Sequence, residues 1–244
     1  MDLIKLSELI VDEKAANAFL IENKILVDYK SCFKCGSKNI NLIRRGKFIC
    51  YGCRHEWDYR IGSILDKLRI KSSTFIGVLK MFELEIPSYI AAKMLRINPK
   101  LTDNIYNTIR KLLSRDMIEG INNKKVFEFS IKEDAGIILI SNFSESKGGD
   151  KLTIKNKRQS DHYYEFNIAY ESSSDNSEYS ESSSRFFLIG SFIRELNYKL
   201  KRIRKIHYKN MHLYLKETEF RFNNRNNELF WEILEEIKAK GCSG

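Results

Sequence analysis

Four of the chain's five cysteines fall within 22 residues, as Cys32-x2-Cys35 and Cys50-x2-Cys53, and this spacing constrains the fold more than any other feature of the 244 residues. Two residues between cysteines let both sulfurs of a turn face one point. Two such turns separated by a short spacer converge on a single tetrahedral ion, the arrangement of a four-cysteine zinc ribbon. Gly36 follows the first turn and Gly52 lies inside the second, where tight backbone turns are expected. Between them, Asn39–Ile43 and Lys47–Ile49 read as two short strands around Arg44-Arg45-Gly46. The competing reading is a pair of disulfides in a small secreted module. Against it, the first twenty residues mix charged with apolar positions and lack the basic-then-apolar pattern of a signal peptide. A reducing, intracellular compartment is therefore expected, with Cys242 a free surface thiol.

The charge balance points to a partner. Lys and Arg number 42 against 32 Asp and Glu, a net charge of +10, which favours nucleic acid or another anionic surface. With 43% hydrophobic residues the chain can bury a core, which argues against wholesale disorder. No apolar run is long enough to span a membrane, so none is expected as a partner. The surplus is unevenly spread. Residues 31–60 hold seven basic and two acidic residues, and residues 185–225 hold eleven and three. Arg44, Arg45 and Lys47 of the ribbon are candidate phosphate contacts. The alternative for the ribbon is a structural zinc knob that only supports its neighbours.

Residues 61–83 read as helical, with Ile64, Leu65, Leu68, Phe75, Ile76, Leu79 and Phe82 at helical spacing and Ser72-Ser73-Thr74 as the cap of the second helix. Pro87 opens a short helix to Leu95, Arg96–Pro99 interrupts it, and Lys100–Arg115 resumes with Leu101, Ile105, Ile109, Leu112 and Leu113 on one face. Small residues at Ala91 and Ala92 suit a close crossing, so the stretch reads either as a helix-turn-helix or as an ordinary helical hairpin. In the first case Lys100, Thr102, Asn104, Asn107, Arg110 and Lys111 face a DNA groove. Upstream, Leu6–Ile10 and Ala15–Ile21 predict two short helices that pack onto the ribbon or mediate a homodimer. Downstream, 227–240 predicts an amphipathic closing helix with Leu229, Phe230, Ile233, Leu234 and Ile237 inward.

The run Cys35-Gly-Ser37, Phe48-x-Cys50-x-Gly-Cys53, Trp57, Arg60-x-Gly62-Ser-Ile64, followed by these helices, resembles the Merlin-type DDE transposases and their bacterial insertion-sequence relatives. Ile189-Gly-Ser-Phe192, Lys209–Leu215, Glu219-Phe-Arg-Phe-Asn-Asn-Arg225 and Leu229-Phe230 are similar to that family's closing segment. The resemblance implies an RNase H-like middle in which three acidic residues hold two Mg2+ ions for attack on phosphate. By the same resemblance the first catalytic position falls on Ser130, within Phe127–Lys132, and the third on Ile189, while Glu195 lies on the wrong side of its helix. A rearranged site would have to use Glu128, Asp134, Asp150 or Asp161. Strands are expected at 127–132, 136–140, 151–155 and 163–170 as a meander. Where a further buried strand is required, residues 171–184 are a serine-rich acidic tract.

The expected fold class is α+β: N-terminal helices over 1–30, a zinc ribbon over 31–60, a helix-turn-helix over 61–120, and a truncated RNase H-like region over 121–170. An acidic linker over 171–184 and basic C-terminal helices over 185–244 complete it. In the last of these Lys199, Lys201, Arg202, Arg204 and Lys205 are candidate DNA contacts, with Tyr198, His207 and Tyr208 nearby. The alternative for such a run is a solvated helix face or an import patch. Three functions follow as expectations: a transposase-derived, zinc-dependent DNA-binding protein without catalysis, an active DDE transposase that would also need Mg2+, and a zinc-ribbon transcription factor. Each places the chain on DNA, in the nucleus or the cytoplasm according to host.

Overall fold

The computed structural model describes residues 1–114, 126–134, 137–146, 163–167, 190–196, 198–199 and 210–241. The expected strand at 151–155, the tract 171–184, Ile189 and Cys242 lie outside them. The chain is α+β and divides into two compact units, Met1–Leu112 with Glu228–Gly244, and Leu113–Asn227. The last helix therefore groups with the N-terminal elements rather than with the basic residues that precede it. Among the described residues no helix is long and apolar enough to cross a membrane.

The first unit is built around one buried helix. Helices α1 (Leu3–Val11) and α2 (Glu13–Glu22) start at Asp2 and Asp12, whose carboxylates accept from the N–H groups of Lys5 and Lys14. Both pack on α4 (Ser72–Glu83), as do α5 (Ser88–Leu95) and the closing helix α8 (Leu229–Gly241). Helix α4 buries Phe75, Ile76, Val78, Leu79 and Phe82 almost completely. Phe230, Ile233, Leu234 and Ile237 of α8 are buried as the amphipathic pattern requires, and Trp231 of α8 meets Phe19 of α2 at 5.8 Å. A side chain at Gly77 would approach Leu95 to 3.2 Å, so the bare backbone there lets α5 lie close to α4.

The stretch 61–83 is broken where periodicity alone leaves it open. Helix α3 (Ile64–Leu68) ends at Arg69, which takes a left-handed conformation with φ +53. Helix α4 then begins after Lys71, so Ser72 and Ser73 lie in its first turn and do not cap it. A residue 59 positions away does so. The Glu13 carboxylate accepts from the backbone N–H groups of Ser72 (2.8 Å) and Ser73 (3.0 Å), from the Ser73 hydroxyl (2.6 Å) and from the Tyr59 hydroxyl (2.9 Å). Negative charge at a helix N-terminus and satisfied orphan donors are both stabilising.

Helix α5 begins after Pro87 and ends at Arg96, φ +54, and α6 (Pro99–Leu113) begins one residue earlier than expected. Asn98 accepts from the Lys100 N–H at 2.8 Å and Pro99 occupies the first helical position, where its missing N–H costs nothing. Ile105, Ile109, Leu112 and Leu113 are buried together with Tyr106, whose hydroxyl donates to the Ile86 carbonyl at 2.9 Å. The Ser88 hydroxyl donates to Asp103 and ties α5 to α6.

In the second unit β4 (Val126–Asp134) pairs with β5 (Ile137–Ser146) and with β6 (Tyr163–Asn167), antiparallel on both sides. The order β5-β4-β6 puts the first strand in the centre, so these strands are not the sequential meander that was expected. Ser130 sits mid-strand beside a bulge, opposite Asn142 and Glu165. Elsewhere in this unit Phe192 of the helical stretch 190–196 is fully buried and meets Phe222 of α7 (Met211–Asn223) edge-on at 5.2 Å.

Burial works against the ionised form of Glu13, but its bonds from Ser73, Ser72 and Tyr59 outweigh this and hold its carboxyl below the ordinary glutamate value of 4.5. Its contribution to stability is therefore complete above that value and is lost as pH falls through the lowered one. Glu13→Gln is expected to cost about 1–2 kcal/mol at neutral pH, and the gap to the parent, read from urea midpoints, closes in acid. An equal gap at both extremes would contradict this account.

Candidate metal centre and its basic surface

The ribbon is a three-stranded antiparallel sheet of β1 (Ile40–Leu42), β2 (Lys47–Cys50) and β3 (Glu56–Asp58) in the order β1-β2-β3. Arg44–Gly46 forms a single 3-10 turn between the first two strands. The third strand was not anticipated from sequence. Its Trp57 is 2% exposed, and packs with Cys32 and Cys50 beneath Tyr29, Ile40, Phe48 and Ile61. Phe48 stacks on Trp57 at 5.6 Å and His55 at 5.8 Å. His55 is thereby engaged as an aromatic neighbour, and the group of potential ligands consists of the cysteines alone.

All four sulfurs lie within 4.8 Å of one another. Cys32 and Cys53 Sγ are 3.7 Å apart and Cys35 and Cys50 Sγ 3.5 Å, and none of the four is disulfide-bonded. Metal–sulfur bonds of about 2.3 Å give a tetrahedron with edges of about 3.8 Å, so the cage fits an ion such as zinc. A disulfide requires about 2.05 Å. Among the described residues no other group of three or more His, Cys, Asp or Glu comes so close together.

The cage is assembled by two turns of matching geometry. The Cys32 N–H donates to the Ser37 carbonyl and the Cys50 N–H to the His55 carbonyl, both at 2.9 Å and both five residues on. The residue after each second cysteine is left-handed: Gly36 at φ +71 and Arg54 at φ +56. Gly52 has a different role from the tight turn expected of it. A Cβ there would stand 3.2 Å from Ser37 Oγ, so its bareness lets the two turns touch. Hydrogen bonding from the Cys53 N–H draws the Cys50 thiol down to about 6. At Cys35 the Ser37 N–H acts in the same direction, but the neighbouring sulfurs of Cys53 and Cys50 prevail and push its thiol up to about 12. Four sulfurs this close cannot all ionise without a cation among them, and a bound ion removes that conflict.

The exit from the ribbon is an ion-paired corner. Arg60 holds Asp58 through two 2.8 Å bonds and donates to the Ile70 carbonyl at 3.0 Å. Hydrogen bonding and charge from Arg60 keep the Asp58 carboxyl low. The Ser63 hydroxyl donates to the Arg60 carbonyl at 2.6 Å, and Gly62 is left-handed. The Arg60-x-Gly62-Ser63-Ile64 motif therefore turns the chain into α3.

Of the residues singled out for DNA, Arg44, Lys47, Lys100, Asn104 and Lys111 are exposed. Arg45 lies in the 3-10 turn. Asn107 is half-buried and accepts from Arg110 at 3.3 Å, while the Arg110 guanidinium lies over Phe82 (5.6 Å) and Tyr106 (5.7 Å). Thr102 does not face outward: it is fully buried and hydrogen-bonds to the Asn98 carbonyl, one turn back. Lys199 pairs with Glu195 at 3.0 Å. Lys201, Arg202, Arg204 and Lys205 lie outside the described residues. Compared with family models, curated proteins and solved structures, the chain matches none.

Because Arg54 occupies the conformation that Gly36 adopts freely, Arg54→Gly is expected to raise stability by about 0.5–1 kcal/mol and Gly36→Ala to lower it by about 1. Thermal melts of the metal-loaded chain check both signs.

Proposed function

We propose that the chain is a zinc-dependent DNA-binding protein, derived from a DDE transposase of the Merlin type and holding DNA without cutting it. The observation that carries the reading is the four-sulfur cage inside a ribbon whose outer residues Lys34, Lys38, Arg44, Lys47 and Arg54 are exposed. Four thiolates at these separations suit zinc. The ion replaces the hydrophobic core that thirty residues are too few to supply. Exposed cations on the turns of a small ribbon and at the start of its second strand suit phosphates, which bind largely through charge and counterion release. In this reading α5, the turn at Arg96 and α6 act as a helix-turn-helix, presenting Lys100, Asn104 and Lys111 to a groove. The sheet of β4, β5 and β6 is the remnant of an RNase H-like core, with Ser130 where the first catalytic aspartate would stand. The basic run Lys199, Lys201, Arg202, Arg204 and Lys205 is the second DNA contact of this reading.

Replacing Cys32 and Cys50 together with Ser is expected to release zinc and to abolish binding to duplex DNA, read by metal analysis and fluorescence anisotropy. Retained binding in the metal-free variant would remove the ribbon from the function. Lys47→Ala, which leaves the cage intact, is expected to reduce the slope of log affinity against log salt by about one. In Mg2+ or Mn2+, no nicking or strand transfer is expected. Metal-dependent cleavage abolished by Glu128→Gln or Asp134→Asn would establish the active transposase instead.

A further inference from the structure

We propose that the outer surface of the two cysteine turns binds unpaired nucleotides by stacking their bases on Phe33 and Tyr51. The inference rests on the nucleic-acid reading above and narrows its ligand to strands whose base faces are open. Phe33 and Tyr51 hold the same place in the two turns, directly after the first cysteine, and are 56% and 54% exposed. A lone exposed ring is ordinary, but two at matching positions on adjoining turns form a patch suited to contact. Gly52, next to Tyr51, brings its turn against Ser37 of the other, so the two rings stand on touching turns.

Neither ring hangs on a loose loop. Phe33 is braced edge-on by His55 at 5.1 Å and Trp57 at 5.3 Å, with Tyr29 at 6.3 Å, and the Tyr51 N–H is bonded to the Asn39 carbonyl at 3.0 Å. The Phe33 ring and the Tyr51 backbone are thus already held, which lowers the entropy lost on binding. Lys34, Lys38 and Arg54 are exposed beside these rings, and neither 31–38 nor 47–55 contains an acidic residue. Exposed aromatic faces on anchored turns, with cations and no acidic residue in those turns, match a strand that offers flat bases on one side and phosphates on the other. A duplex hides its base faces in its own stack, so it can use the cations but not the rings. The π-face and the phosphate are common to DNA and RNA; the 2′-hydroxyl distinguishes them.

The test measures binding of the full zinc-loaded chain to oligo(dT), oligo(rU) and a hairpin duplex at one salt concentration. Tyr51→Ala and Phe33→Ala are each expected to weaken binding of the unpaired strands roughly tenfold to a hundredfold while barely altering the duplex. Phe33→Leu keeps an apolar group against Trp57 but no flat ring and should behave as the alanine variant does, while Phe33→Trp should restore binding. Tighter binding of one oligomer identifies the strand as DNA or RNA. Unpaired strands bound no differently by the parent and by all four variants, with the duplex still bound, would overturn the stacking site and leave DNA binding standing. Failure to bind any of the three would overturn both.

Discussion

Four cysteine sulfurs within 4.8 Å of one another form a constraint that the protein chain does not resolve by itself. The conflict shows as opposed acidities at Cys35 and Cys50, one thiol made hard to ionise and its neighbour easy. A divalent ion held by the four sulfurs would turn that repulsion into bonding. The surrounding packing suits that role. Trp57, Phe48, Tyr29 and His55 form a small cluster of rings, joined by Ile40 and Ile61, beneath which the core is no more than Trp57 and two of the cysteines.

The ribbon's placement on the helices depends on two charged side chains. Glu13 gathers a ribbon tyrosine and the first turn of α4 onto α2, and Arg60 joins β3 to the chain leading into α4. Both are hydrogen-bonded at several donors or acceptors, the condition under which a partly buried charge adds to stability. The ribbon is thus anchored at its exit, while its cysteine turns carry the exposed cations and rings. An element stiff at its base presents its tip with little loss of entropy on contact, which suits a binding surface better than a spacer.

What could be read from the sequence was what is local. The cysteine spacing, the first two strands, the helical periodicity and the inward face of the closing helix depend on residues a few positions apart and stand in the structure close to where they are expected, with Leu101 and Leu229 half-buried at the ends of their faces. What escaped was non-local. Strand β3 is three residues long and becomes a strand by pairing Trp57 with Phe48. The cap of α4 comes from Glu13, so the serines that looked like a cap are ordinary first-turn residues. Thr102 looked exposed because it is polar, but a hydroxyl that bonds back to the carbonyl four residues earlier can be buried at little cost. Nor did any local pattern show that β6 pairs with β4, or that α8 groups with the first unit.

Charge is where the structure adds most to a count of residues. The ribbon's Asp58 is consumed by Arg60. Within residues 185–225 all three acids are paired with nearby bases, Glu195 with Lys199, Glu217 with Arg221 and Glu219 with Lys216. The last two pairs are largely buried on α7, where they satisfy one another, and they add nothing to an outer surface. Arg225 lies over the Phe222 ring at 4.5 Å and also donates to that residue's carbonyl. Lysines and arginines that appear equivalent in sequence thus divide into those that stabilise helices and those that stand exposed on the ribbon, Lys34 and Arg54 in its cysteine turns and Lys47 at the start of β2. Surplus charge attracts a polyanion from a distance, and the ribbon sets two exposed rings, Phe33 and Tyr51, on the same turns as exposed cations.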